Sequence, residues 1–139
     1  MQSTSADFTI SSAGVITFNT APDFETKSAY SITVNVSDGT NASSQSVTIT
    51  VTDANDAPVI AGLGLSVSVA ENQTAVTTVS ATDADGDAVT YSLTGSDAGD
   101  FTISSAGVIT FNTAPDFEIK SSYAVTVNVG DGTSTTSQS

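Results

Sequence analysis

A nineteen-residue string, DFTISSAGVITFNTAPDFE, occupies residues 7–25 and returns unchanged at residues 100–118, 93 positions later. Around it, residues 3–46 match residues 96–139 at 33 of 44 positions, the mismatches including Thr4/Asp97, Thr26/Ile119 and Ser37/Gly130. Duplication at a fixed spacing marks an array of like structural units. A 139-residue chain with a period of 93 holds about one and a half of them. It is expected to open partway through one unit and stop partway through the next, so function belongs to the repeat and its junction.

Within the unit, apolar residues recur every second position. Tyr30, Ile32, Val34 and Val36 alternate with Ser31, Thr33 and Asn35, and the run from Tyr123 to Val129 repeats the pattern. Val47–Val51, Leu65–Val69 and Val89–Leu93 alternate in the same way. A period of two buries one face of a strand and wets the other, as in antiparallel sandwiches. Turn pairs at Ala13-Gly14, Asp38-Gly39, Asp85-Gly86, Ala106-Gly107 and Asp131-Gly132 separate the runs. For the second unit the pattern predicts strands near 65–70, 76–82, 88–94, 100–104, 107–112 and 122–130. A seventh strand, equivalent to 46–52, is expected to fall beyond Ser139. Seven short strands in about 90 residues indicate an all-β, immunoglobulin-like antiparallel sandwich. Pro58 removes a backbone donor and ends the strand begun at Val47. The expected division is therefore residues 1–57, the last four strands of one repeat plus a linker, and residues 58–139, the next repeat without its last strand.

Charge narrows the partners. The chain has 2 Lys, no Arg or His, and a net charge of −13. Nucleic-acid backbones and anionic membrane surfaces demand the opposite sign. No apolar run is long enough to span a bilayer. Without His, Cys or Arg the usual catalytic base, nucleophile and oxyanion clamp are missing, so no enzymatic activity is expected. Residues 1–4 show no basic or apolar leader, so any export signal is expected in a longer parent sequence.

The acidic residues gather at the junction. Asp53, Asn55 and Asp56 place three oxygen-bearing side chains within four residues. Asp23, Glu25, Glu71, Asp83, Asp85, Asp87, Asp38 and Asp131 fall at the ends of expected strands. Pairs at i and i+2 on extended chain point the same way. Calcium takes six to eight hard oxygen ligands, which such a set can supply. Asp83–Asp87 is no EF-hand loop, since its Gly86 is one position early and Thr94 stands where the bidentate Glu belongs.

Read together, these motifs resemble the cadherin repeat. Asp53-Ala-Asn-Asp-Ala-Pro58 is similar to the D-x-N-D-x-A-P linker, and Ala70-Glu71-Asn72 to the P-E-N element with Ala for Pro. Pro22-Asp23-Phe24-Glu25 and Pro115-Asp116-Phe117-Glu118 resemble the L-D-R-E element with Phe for Arg. Ala81–Asp85 followed by Thr90–Leu93 resembles A-T-D-x-D…Y-S-L, and Asp38-Gly39 and Asp131-Gly132 the family's late Asp-Gly. The near-identical, Ser/Thr-rich units resemble the bacterial cadherin-like branch found in large secreted adhesins. The resemblance implies a Ca²⁺ site built from Asp23, Glu25, Asp53, Asn55, Asp56, Asp83, Asp85 and Asp131, with Asp87 secondary. Glu71, Asp116 and Glu118 are implied for a following junction, and Asp38 is a weaker candidate, since an Asp-Gly pair on its own reads first as an ordinary turn.

The function implied is a calcium-rigidified extracellular spacer or adhesion repeat on a bacterial cell surface, whose partners are neighbouring repeats. A carbohydrate-binding module that takes a surface glycan is one alternative, although Trp is absent and Tyr30, Tyr91 and Tyr123 sit in core phase. Self-association by strand exchange through an unpaired edge is another.

Overall fold

Chain segments that carry apolar side chains on one face and Ser or Thr on the other fold by pairing backbones and closing their apolar faces together. The computed structural model describes residues 6–139; Met1–Ser5, which open the first expected repeat segment, lie outside the described residues. Contacts divide the chain into one unit ending at Ala54 and a second spanning Asn55–Ser139. The division precedes the expected 57/58 boundary because Asn55 and Asp56 are hydrogen-bonded into the second unit, to Asp131, Ser134 and Asp85.

The first unit holds two antiparallel hairpins. β1 (Phe8–Ile10) pairs with β2 (Ile16–Phe18), and β3 (Ala29–Ser37) pairs with β4 (Ala42–Thr50) over nine residues each. Phe8, Phe18 and Tyr30 close on one another, with ring centroids 4.5, 5.4 and 5.1 Å apart. Such aromatic clusters add directional packing to their burial.

The second unit is an antiparallel sandwich. One sheet has the order β6 (Ala75–Thr78), β10 (Val108–Phe111), β9 (Phe101–Ile103). Another has the order β12 (Thr135–Gln138), β11 (Thr126–Gly130), β8 (Thr90–Thr94), and β5 (Val59–Ala61) pairs with β7 (Ser80–Thr82). The expected strand at 76–82 divides at Val79, which is 1% exposed and donates its N–H to the Gly107 carbonyl at 2.9 Å. β6 and β7 thus join different sheets from one run of chain. The core consists of Val79, Ile109, Val127 and Val129, with Ile60, Val76, Tyr91 and Leu93 packed against it. Each such side chain contributes about 1.5–3 kcal/mol through removal from water.

Two expectations need correction. Residues 65–70 form no ladder, and Leu65 is 88% exposed. Alternation there marks an apolar face without supplying a backbone partner. The last strand also starts earlier than 46: β4 begins at Ala42, and β12, its counterpart, holds Thr135–Gln138 against β11. The second unit therefore carries four residues of the strand it was expected to lack. Ala42–Ser46 is polar, so its pairing rests on the backbone and leaves no hydrophobic signal.

Candidate metal centre

Asp83 organises its own loop. Its Oδ1 accepts the N–H groups of Asp85 at 3.1 Å and Asp87 at 3.2 Å, while Gly86 donates to the Asp83 carbonyl at 3.3 Å. Gly86 sits at φ +80°, a left-handed conformation that a side chain would disfavour. The turn points the carboxylates of Asp83, Asp85 and Asp87 together, with one oxygen of each within 4.8 Å of the others.

The linker and the β11–β12 turn belong to the same arrangement. Asp85 Oδ2 accepts the Asp56 N–H at 2.8 Å. Asp131 Oδ1 accepts the N–H groups of Thr133 and Ser134, both at 2.6 Å, and its Oδ2 accepts the Asn55 amide at 3.0 Å. The same amide nitrogen reaches Ser134 Oγ at 3.1 Å. The backbone N–H of Ser134, then that of Thr133, then the Asn55 amide hold the Asp131 carboxyl below its ordinary value of 3.8. It is therefore an anion at neutral pH, the form that attracts a cation.

Among the described residues, two buried oxygens have no partner. Asp83 Oδ2 and Asp85 Oδ1 are buried and accept no hydrogen bond. Buried carboxylate oxygens left unpaired are costly unless a positive charge meets them. The chain's lysines do not: Lys27 bonds to Asp7 at 3.2 Å, and Lys120 to Asp97 at 2.6 Å and Asp100 at 3.3 Å. With neither His nor Cys in the sequence, the donors are all oxygen, a set that fits a hard divalent cation and disfavours zinc.

Asp23, Glu25 and Asp53 lie in the first unit. Glu25 and Asp53 bring carboxylate oxygens within 4.8 Å of each other. Asp23 is occupied locally: the Thr26 hydroxyl and N–H and the Glu25 N–H bond to it and lower its pKa below 3.8. Glu71, Asp116 and Glu118 form a separate, exposed group, where Glu71 Oε2 accepts the Phe117 N–H at 3.2 Å and Asp116 Oδ1 the Glu118 N–H at 3.0 Å. Asp38 makes the same turn as Asp131, accepting N–H groups from Asn41 and Thr40, and among the described residues no linker amide reaches it. Ser134 is the residue that sequence reasoning missed; its only signal was its place at the end of the Asp131 turn.

The second unit's sheets, and the linker bonded to its Asp85 and Asp131, coincide with a known domain. The bacterial Ig domain family matches residues 55–139. This chain belongs to that family. Its architecture is cadherin-like as well. It resembles the EC22-24 fragment of mouse cadherin-23 with a TM-score of 0.62 and 26% identity, covering 95% of this chain and 46% of that one. It also resembles the protocadherin gammaB4 extracellular domain, with a TM-score of 0.59 and 27% identity over 99% of this chain and 24% of that one. In sequence it is 38% identical over 128 residues to mouse protocadherin Fat 4, which covers 84% of this chain. The chain spans 3% of Fat 4's length. This cadherin-like Ig repeat has, among its described residues, no helix long and apolar enough to cross a membrane.

Proposed function

We propose that the repeat is a calcium-stiffened spacer of an extracellular adhesion protein on a bacterial cell surface. The observation that carries the reading is the pair of buried, unpartnered oxygens on Asp83 and Asp85, in a loop where three carboxylates converge. Asp83, Asp85 and Asp87 would hold the ion, with Asn55, Asp56 and Asp131 beside them. A bound Ca²⁺ would neutralise this charge and satisfy the two orphaned oxygens. The chain's own contribution is to hold the site open beforehand: Asp83 folds its loop, and Asp85 and Asp131 fix the linker through Asp56 and Asn55.

The repeat boundaries belong to the same proposal, residues 1–57 closing one repeat and residues 58–139 forming the next. Bridging across the junction extends it: Glu25 and Asp53 would supply ligands from the preceding repeat, supported by their motif positions and by their mutual approach within 4.8 Å. A stiffened junction suits a spacer, because −13 of like charge otherwise favours an open linker. The glycan-binding alternative gains no support. Tyr30 and Tyr123 are committed to aromatic clusters and Tyr91 packs on the core.

A calorimetric Ca²⁺ titration with Mg²⁺ as control tests the reading. Saturable binding in the micromolar-to-millimolar range is expected, accompanied by a raised melting temperature. The double variant Asp83→Asn/Asp85→Asn should abolish it and Asp38→Ala should leave it unchanged. Bridging predicts that Asp53→Ala weakens binding and enlarges the hydrodynamic radius in calcium. A wild-type chain that releases no heat with calcium up to several millimolar would sink the proposal.

A further inference from the structure

Two asparagines of the second unit are held at both ends of the amide. Asn112 accepts the Thr102 hydroxyl at 2.6 Å and donates from Nδ2 to the Gly99 carbonyl at 2.9 Å. Asn128 accepts the Ser137 hydroxyl at 2.7 Å and donates to Thr94 Oγ1 at 3.0 Å. Asn55 is held differently. Its Nδ2 lies 2.8 Å from the Asp56 carbonyl, 3.0 Å from Asp131 Oδ2 and 3.1 Å from Ser134 Oγ. Among the described residues, no hydrogen bond reaches its Oδ1. Chemistry fixes which end faces Asp131, because a carbonyl and a carboxylate only accept and an amide oxygen placed there would meet two acceptors.

The neighbouring carboxylates are short of free oxygens. Asp83 Oδ1 is committed to the N–H groups of Asp85 and Asp87, and Asp85 Oδ2 to that of Asp56. The convergent set Asp83, Asp85 and Asp87 then offers Asp83 Oδ2, Asp85 Oδ1 and the Asp87 pair, against the six to eight oxygens calcium takes. Asp131 belongs to no convergent carboxylate group among the described residues, and both its oxygens already accept N–H donors. On Oδ2 the donor is the Asn55 amide, whose hydrogen carries partial positive charge and opposes a cation drawn to the same carboxylate. Asn55 is exposed, and rotation about a terminal sp³–sp² bond is soft and roughly two-fold. A half-turn exchanges nitrogen for oxygen and leaves the backbone where it is.

We propose that Asn55 is a two-ended switch of the calcium site, a role that rests on the function proposed above. With the site empty, its nitrogen latches the linker to Asp131. With the site filled, the amide is turned and its oxygen joins Asp131 Oδ2 in the ligand set. The turn also releases the Asp56 carbonyl, another hard oxygen of the kind calcium takes. Ser134 suits both states. Its hydroxyl accepts from the Asn55 nitrogen now, and the same group can donate to the Asn55 oxygen after the turn. Asparagine is the residue type that the position needs, since a carboxylate has the oxygen without the donor.

Nitrogen-15 NMR of the full chain in EGTA and in calcium, with calorimetry alongside, tests the switch. The side-chain amide signal of Asn55 is the one that disappears in Asn55→Asp. In EGTA its hydrogens should exchange with solvent about tenfold more slowly than in saturating calcium. Asn55→Asp keeps an oxygen and loses the donor, so its effects should have opposite signs in the two buffers. In EGTA it should melt about 2–5 °C below wild type, because two carboxylates then face each other. On titration it should bind calcium about tenfold more tightly, since ligand charge tunes the affinity. Calcium heat accompanied by an Asn55 amide equally protected in both buffers overturns the switch and leaves the calcium reading standing. So does an Asn55→Asp chain that binds calcium more weakly than wild type, or that melts with wild type in EGTA. A wild-type chain that releases no heat with calcium overturns both.

Discussion

The string DFTISSAGVITFNTAPDFE folds twice in this molecule, over Asp7–Glu25 and over Asp100–Glu118, and makes the same local structure both times. Thr9 and Thr102 each donate a hydroxyl hydrogen bond to an asparagine ten residues on, at 2.6 Å, and Phe–Phe–Tyr clusters close behind both hairpins. What differs is the surroundings. The second hairpin gains a third strand, β6, along β10, and its Gly107 carbonyl caps Val79. Among the described residues, the first hairpin pairs only with itself in its sheet. The contrast continues along the chain, where Val36 is 66% exposed and its counterpart Val129 is 0% exposed. Local conformation here is written in the string, and burial is conferred by strands that lie elsewhere in the chain.

Substitution at paired positions probes that contrast. The largest effect is expected at the hairpin glycines. Both sit at positive φ, +82° for Gly14 and +77° for Gly107, but a Cβ on Gly107 would lie 2.1 Å from the Val79 carbonyl oxygen, whereas one on Gly14 meets nothing within 4 Å. Gly107→Ala should cost about 3–5 kcal/mol, through left-handed strain plus displaced backbone. Gly14→Ala should cost about 1–2 kcal/mol from strain alone. Urea denaturation of the two variants measures both, and equal midpoints would erase the distinction.

Next come the paired valines. Val129→Ala should destabilise by about 2 kcal/mol as it opens a cavity. Val36→Ala should fall within about 0.5 kcal/mol of wild type. Comparable losses would show that the first unit's face is covered in solution.

The smallest effect concerns Lys120. It bonds to Asp97 and Asp100, whereas its counterpart Lys27 bonds to Asp7, and the position equivalent to Asp97 is Thr4, outside the described residues. The Lys120 ammonium, followed by the Ala124 N–H, holds the Asp97 carboxyl below 3.8. A depressed folded-state pKa gives stability that is present above 3.8 and lost as pH falls through the folded value. Asp97→Thr should therefore lower the melting temperature slightly at pH 7, and the difference from wild type should vanish in acid. A gap that widens below 3.8 would reverse the sign of this account.

The alternating runs around Tyr30, Tyr91 and Tyr123 made the all-β class readable from the sequence, and the acidic motifs marked Asp83, Asp85 and Asp131. Partners were less legible. Leu65–Val69 alternates as well as any strand yet joins no ladder among the described residues, because alternation encodes faces and leaves pairing to the rest of the chain. The start of β4 at Ala42 was hidden in polar sequence, and the break at Val79 arises from the Gly107 carbonyl approaching it from another strand. At the candidate site the carboxylates were visible by residue type. Ser134 was not, since a serine in an Asp-Gly turn looks the same whether or not an asparagine from a distant linker reaches it.

The bonds that fix Asn55 and Asp56 have a mechanical meaning. Tension entering the second unit from its N-terminal side would otherwise pull directly on β5, which is held by only three residue pairs to β7 and could be peeled away one pair at a time. Asn55 and Asp56 sit ahead of β5 and fasten the chain to Asp131 and Asp85 instead. Force is thereby shared with the β11–β12 turn and the Asp83 loop before it arrives at that short ladder. The site is placed where a tether would first fail.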